Sequence, residues 1–282
     1  MKALLEPIKE IARFDELFRD LKKGTAGVTV ISGCLESQKA HMIAGLSEDA
    51  PVRLLIAENE LKAKELYEDY RLYDAETLYY PAKDLIFYQA DIHGNLLIRQ
   101  RLQVIQALLE RKEVTIITSV GGCMDFLLPL GVFEKHCIHL RNDSEFDLDK
   151  IRKELVRLGY ESTFQVESTG QFSVRGGILD IYPLTEQNPI RIELWGDEID
   201  SIRSFDAESQ RSIENLEEIT IYPASELILT ENTIARGVKA IKKEAKAQST
   251  KFRDKMMTEE AARIRHAAEE ICDQIGEGEI LQ

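Results

Sequence analysis

VTVISGCLESQKA, residues 28–40, decides how the first half of the chain is read. A β-branched run, Gly33, a short loop, Lys39 and a helical stretch follow one another. This is the layout of a phosphate-binding loop, in which backbone N–H groups and a lysine cradle phosphates at a helix N-terminus. The working motif is GxxxxGK[ST]: its second glycine lets the backbone approach the phosphates, and its hydroxyl serves magnesium. Here the residues are GCLESQKA, with Gln38 in place of that glycine and Ala40 in place of the hydroxyl. Glu36 adds a carboxylate that, ~5 Å from a phosphate, would cost on the order of 3 kcal/mol at an effective dielectric near ~20. No acidic pair ends a neighbouring apolar strand, because VTIITSVGG meets its first carboxylate only at Asp125. Gly33, Gln38, Lys39 and Ala40 therefore read as a degenerate loop kept for its packing, with no nucleotide cofactor and no catalytic residue.

Outward from this loop, residues 28–32, 52–57, 77–80 and 114–120 are strand-like runs. They alternate with helical stretches that begin near Gln38 and Leu61 and span about 95–111. Repeated βα units predict a parallel sheet covered by helices, and the runs VTVIS, VRLLIA and VTIITSV are apolar on both faces, as buried parallel strands require. The fold class is α/β. Residues 1–125 are expected to form a degenerate RecA-like (P-loop NTPase-like) parallel-sheet domain. After Gly121 and Gly122 the pattern changes: residues 126–212 read as short strands around one helix, 148–158, with Ile151, Leu155 and Leu158 on one face. That predicts an inserted α+β module, whose clearest piece is IRIELW and EIDSIRS flanking a hairpin turn at Gly196 and Asp197. Residues 213–282 are expected to return through the strand ITIYP to one long charged helix over 233–275, packing back onto the first domain.

Fifty acidic residues oppose 36 basic ones, a formal charge of −14 that repels phosphate backbones, so this chain is not expected to grip DNA. No stretch is apolar enough to span a bilayer, and the N-terminus lacks the unbroken apolar run of a signal peptide; a cytoplasmic protein is expected. Cys34, Cys123, Cys137 and Cys272 form no CxxC pair, which predicts reduced thiols. His136, Cys137 and His139 lie close in sequence, but no second ligand cluster completes a metal site, so no metal is expected.

Strand alternation puts Ile190, Ile192 and Leu194 on one face of IRIELW, and Arg191, Glu193 and Trp195 on the other. The first face is core; the second holds the chain's only tryptophan beside an arginine, two residue types enriched at binding hot spots. The plainer alternatives are a half-buried Trp195 covering the hairpin and an Arg191 paired across strands with a carboxylate such as Asp200. Tyr79, Tyr80 and Tyr88 invite a base-stacking reading, yet strand packing suits so acidic a chain better. Gly176 and Gly177 mark a bulge or a close backbone approach.

FSVRGGILDIYPL, IRIELWGDEIDSIRSFD and ITIYPASE, in this order, resemble UvrB and, more closely, the UvrB-homologous N-terminal region of the transcription-repair coupling factors (the Mfd family). LYYPAKDLIFYQADIHGN and LLERKEVTIITSV are similar to the same family, so the resemblance runs from about Gly24 to the end of the chain. UvrB itself has an intact phosphate loop and a long aromatic hairpin that wedges into DNA, and this sequence matches neither. The resemblance implies that what remains is a module like UvrB domain 2, whose role is to dock UvrA. Matching motifs carry the UvrA contacts to Arg175 in SVRGG, Arg191 in PIRIEL and Trp195 in ELWGD, where the family often has Phe. It further implies that other domains of a longer protein, with an ATP-driven translocase, engage RNA polymerase and DNA outside these residues. The alternatives are an ATP-dependent, damage-verifying enzyme of the UvrB type and a nucleic-acid-binding module.

Overall fold

The computed structural model describes residues 2–11, 13–23, 27–83, 91–228 and 230–277; Tyr88 lies outside them. The chain opens with α1 (Lys2–Leu5), a 3-10 turn (Glu6–Glu10) and α2 (Phe14–Lys22). Then come α3 (Glu36–Leu46), β1 (Val52–Ala57), α4 (Glu60–Tyr70), β2 (Thr77–Tyr80), α5 (Asp91–Leu109) and β3 (Val114–Ser119). Short helices α6 (Val120–Met124) and α7 (Leu130–Glu134) lead into β4 (Ile138–Arg141), α8 (Leu148–Arg157) and β5 (Glu161–Ser162). The strands β6 (Gln171–Arg175), β7 (Ile178–Ile181), β8 (Ile190–Trp195), β9 (Glu198–Phe205), β10 (Ser212–Leu216) and β11 (Glu218–Ile221) precede two long helices, α9 (Glu231–Asp254) and α10 (Thr258–Glu277).

Three parallel strands form the first sheet in the order β1-β3-β2, with Leu54 and Leu78 both in register with Ile116. The central strand β3 is buried along its length, Thr115, Thr118 and Ser119 included, so its burial shows no alternation between faces. Helices α3 and α4 cover one face, where Ala40, Ala44, Ala63 and Tyr70 pack with Leu55 and Ile117. Helix α5 covers the other beneath β2 and β3, packing Val104 and Ala107 on Tyr80, Val114 and Ile116. Asn59 starts α4 by accepting a hydrogen bond from the Lys62 N–H at 2.9 Å.

Residues 28–32 do not join this sheet, contrary to the buried strand expected of VTVIS. They run outside any strand, with Val28 90% and Val30 84% exposed. β-Branched propensity reflects fit to a pleated, half-buried surface, and without a neighbouring strand to supply that surface it does not by itself create a strand.

Six strands form the second sheet in the order β10-β9-β8-β7-β6-β5, antiparallel except where β5 runs parallel to β6. Its inner face carries Phe172, Leu179, Ile181, Ile190, Ile192 and Ile202, packed with Leu155 and Leu158 from α8 and its C-terminal cap. Asp147 caps α8 by accepting from the Lys150 N–H at 3.0 Å. Strands β4 and β11 pair separately, and Ile221 joins the same core.

The helix expected over 233–275 is two helices. The chain turns at residues 255–257, with Met256 at φ 59°, and Thr258 followed by Glu259 and Glu260 starts α10 with the acidic first turn that suits a helix N-terminus. The two helices pack antiparallel against each other: the Ser249 hydroxyl donates to the Ala261 carbonyl at 3.0 Å, and Cys272 Sγ lies 3.9 Å from the Val238 carbonyl.

One buried ionic cluster ties the regions together. Arg101 on α5, 1% exposed, pairs with Glu226 after β11, donates to Asp125 at 3.0 Å and to the Pro81 carbonyl at 2.5 Å, and lies 4.0 Å from the Tyr80 ring centroid. Lys83 Nζ reaches the same Glu226 at 2.8 Å. With a full set of partners the buried guanidinium is compensated; removal of one partner would leave charge stranded in a low-dielectric interior.

Candidate functional site

The outer face of the six-stranded sheet is organised by a carboxylate. Asp180 on β7 stands in register with Ser173 on β6 and Arg191 on β8, all pointing away from the inner core. Asp180 is 1% exposed, and its oxygens accept three hydrogen bonds: from Arg191 Nε at 2.6 Å, from Arg191 Nη2 at 2.8 Å and from Arg175 Nη2 at 2.7 Å. The Arg191 guanidinium also stacks 4.5 Å from the Phe205 ring centroid and donates to Gln210 at 3.2 Å. Its bond to Asp180 raises its pKa, which fixes the positive charge. Alongside, Arg203 pairs with Glu193. The three guanidiniums and two carboxylates of these pairs sum to a formal +1, which Glu198, opposite Trp195 on β9, offsets.

Arg175, Arg191 and Trp195 differ in how far they reach solvent. The Arg191 side chain is 16% exposed, that of Arg175 40%, and Trp195 83%. Arg175 ends β6 at the two-residue Gly176 and Gly177 turn, where Gly176 takes φ 59°. The Leu194 N–H donates to the Gly177 carbonyl at 2.8 Å, and a Cβ on Gly177 would meet the Leu194 carbonyl oxygen at 3.2 Å, which accounts for glycine there. Because that turn lies against Leu194, Arg175 and Trp195 occupy the same end of the sheet. Trp195 closes β8 just before the Gly196 and Asp197 turn, its indole projecting into solvent rather than covering the hairpin.

The carboxylate that pairs with Arg191 is Asp180, not the Asp200 weighed from the sequence. Register shifts on β9 between Ser201, opposite Glu193, and Ile199, opposite Leu194, so Asp200 is the extra residue of a bulge and faces no β8 residue. Sequence reading also missed Phe164, 84% exposed, whose carbonyl accepts from the Ser173 hydroxyl at 2.8 Å and so lies at the rim of the outer face. Its one signal was a large aromatic in a polar stretch between two strands. For Asp180 the signal was a carboxylate inside the apolar run ILDI.

The loop at residues 33–40 has a different geometry. Gly33 takes φ 83°; Gln38 caps α3, its Oε1 accepting from the Leu35 N–H at 3.1 Å; Lys39 pairs with Glu36 at 2.7 Å; and Ala40 is buried under the first sheet. Each group that a phosphate would need is turned to local use. The Glu36 carboxyl sits below its ordinary pKa because Lys39 donates to it. Asp125, the first carboxylate after β3, accepts from the Lys83 N–H at 2.8 Å and from Arg101.

Among the described residues no group of three or more His, Cys, Asp or Glu could hold a metal ion. His139 Nδ1 lies 2.9 Å from the Thr220 hydroxyl, and burial pushes the Cys137 thiol up to about 11, which keeps it protonated. No helix among the described residues is long and apolar enough to cross a membrane.

The UvrB interaction domain family matches residues 138–227, which include β4 and all six strands of the second sheet. The chain is 38% identical over 240 residues to a protein of Staphylococcus aureus (strain USA300) named transcription-repair-coupling factor, covering 83% of this chain and 20% of that protein. It is 33% identical over 276 residues to the transcription-repair-coupling factor of Bacillus subtilis (strain 168), covering 92% of this chain and 23% of that protein. The chain thus spans about a fifth of the length of the curated relatives it matches. Residues 138–227 thus match the UvrB interaction domain family, and most of the chain is similar to part of the transcription-repair-coupling factors.

Proposed function

We propose that this chain is the part of a transcription-repair coupling factor that recruits UvrA, and that it does so by touch rather than by catalysis. In this reading residues 1–125 are a degenerate RecA-like domain, 126–212 are the UvrA-binding module like UvrB domain 2, and 213–282 return to the first domain. The observation that carries it is the Asp180-organised arginine pair with Trp195 projecting at the same end of the sheet. Hot spots favour Trp and Arg held rigidly at the centre of a contact, because little side-chain entropy is left to lose on binding. Arg191 is held on both sides and supplies the frame. Arg175 and Trp195 are open and make the contact.

Pull-down of UvrA by the wild-type chain against Arg175→Ala, Arg191→Ala and Trp195→Ala tests this. Each substitution is expected to weaken capture at least tenfold, with the fold checked by circular dichroism. Undiminished capture by all three would refute the assignment. Contacts with RNA polymerase, with DNA through a translocase, and with other domains of the longer protein belong, in this proposal, to regions outside the chain.

The alternative, ATP-dependent damage verification of the UvrB type, is disfavoured by Gln38 capping α3 and by Lys39 pairing with Glu36. Millimolar ATP with magnesium is expected to leave the melting temperature unchanged; a clear rise would restore the enzymatic reading.

A further inference from the structure

Net charge conceals how charge is distributed. Helix α9 holds seven lysines and arginines against three carboxylates, a formal +4, so the rest of the chain carries −18. Along one face of α9, Lys242, Lys246 and Arg253 follow at spacings of four and seven residues, a row that spans about 16 Å at 1.5 Å per residue. With Arg265 of α10 they line a groove of about 460 Å³ between the two helices, whose other walls are Ala245, Ser249, Thr250, Ala268 and Glu269. Its floor is made of small residues: Ala245, Ser249 and Ala268 are all buried. The three α9 cations are on exposed positions, and among the described residues none of the four forms an ion pair. Some surface cations elsewhere on the chain are paired with a neighbouring carboxylate, as Lys39 and Lys62 are.

We infer that this groove is a binding site for the phosphate backbone of double-stranded nucleic acid. Four cations against the single carboxylate Glu269 make a net +3 strip. One strand of a duplex carries a phosphate every 3.4 Å of axis, so the row of about 16 Å faces several of them. The lining has no aromatic or large apolar side chain. Single-stranded nucleic acid binding draws on aromatic stacking, and protein partners draw on apolar or aromatic anchors; a strip of cations over alanine and serine offers neither. What it offers is contact with phosphates without regard to sequence. The acidic remainder of the chain opposes that contact at long range, so the interaction is weak and emerges at low salt.

The test is fluorescence anisotropy of a labelled duplex with the whole chain, titrated from about 20 to 200 mM salt. Three net charges predict a slope of log K against log salt near about −2.7, a loss of roughly 40-fold between 50 and 200 mM. The triple variant Lys242→Glu, Lys246→Glu, Arg253→Glu is expected to lose at least tenfold in affinity. A matched control, Lys150→Glu, Arg152→Glu, Lys153→Glu on α8, is expected to lose much less. If the groove variant loosens the helical pair by circular dichroism, Lys242→Gln with Lys246→Gln replaces it, with a smaller loss in the same direction. No duplex binding at the lowest salt, equal losses in groove variant and control, or binding of polyglutamate in place of the duplex would each overturn the inference.

Discussion

The two main sheets of this chain solve the problem of burial differently. In the six-stranded sheet the inner face is closed: Leu179, Ile192 and Ile202 are essentially inaccessible, and large exposed side chains are confined to Trp195 and Phe164 and a few others at its margins. In the three-stranded sheet, edge strand β1 leaves Val52, Leu54 and Ile56 about half exposed on one face. A hairpin-built sheet brings its own neighbours through two-residue turns, whereas a parallel sheet depends on strands delivered from far along the chain. The first can present an aromatic as a deliberate contact; in the second, exposed apolar surface marks only where coverage stops.

The largest effect is expected where the regions meet. Glu226→Ala leaves Arg101 buried with Asp125 as its only carboxylate and should destabilise by about 3–5 kcal/mol in urea denaturation; an unchanged midpoint would mean that α5 and the segment after β11 are not tied through this cluster. Within the sheets, Ile192→Ala is expected to cost about 2–5 kcal/mol, because the site is fully enclosed. A loss as small as that of a surface substitution would contradict a closed core.

Alkaline titration probes the first sheet. Burial pushes Tyr80 up to about 12, so the neutral phenol is the form the fold favours. Its contribution is complete below about pH 10, the ordinary tyrosine value, and is lost as pH rises towards 12, a change of about 2–3 kcal/mol. Tyr80→Phe should flatten the stability profile in that window, and an unaltered profile would assign the decline to other groups. The smallest effects are expected at the open positions: Leu54→Ser and Trp195→Ala should each shift stability by no more than about 0.5 kcal/mol, so that any loss of UvrA capture by Trp195→Ala is separable from folding.

Most strands and helices were legible from periodicity, and the reason is local. Thr77 to Tyr80, the β8–β9 hairpin and α8 carry their own alternation, turn residues or cap. VTVIS was misread because its β-branched residues say nothing about whether a partner strand stands beside them. The break in the last helix was written in Thr258, Glu259 and Glu260, a helix start inside a helical pattern, and was overlooked because no glycine or proline marks it. At the candidate site, Arg175, Arg191 and Trp195 came from motif resemblance together with alternation. Asp180, which holds the two arginines, escaped notice because the pairing of β6, β7 and β8 is needed to bring them together. The bulge at Asp200, equally invisible in one strand's sequence, explains why the wrong carboxylate was considered for Arg191.

Helix α9 carries a formal +4 and its antiparallel partner α10 a formal −4, so the helical pair is neutral as a whole. A polyanion at a distance meets the acidic bulk of the chain, and the cations of α9 are felt only within about a Debye length, ~10 Å at 0.1 M salt. Recognition would then be decided at contact rather than by steering on approach, and added ions would weaken it further.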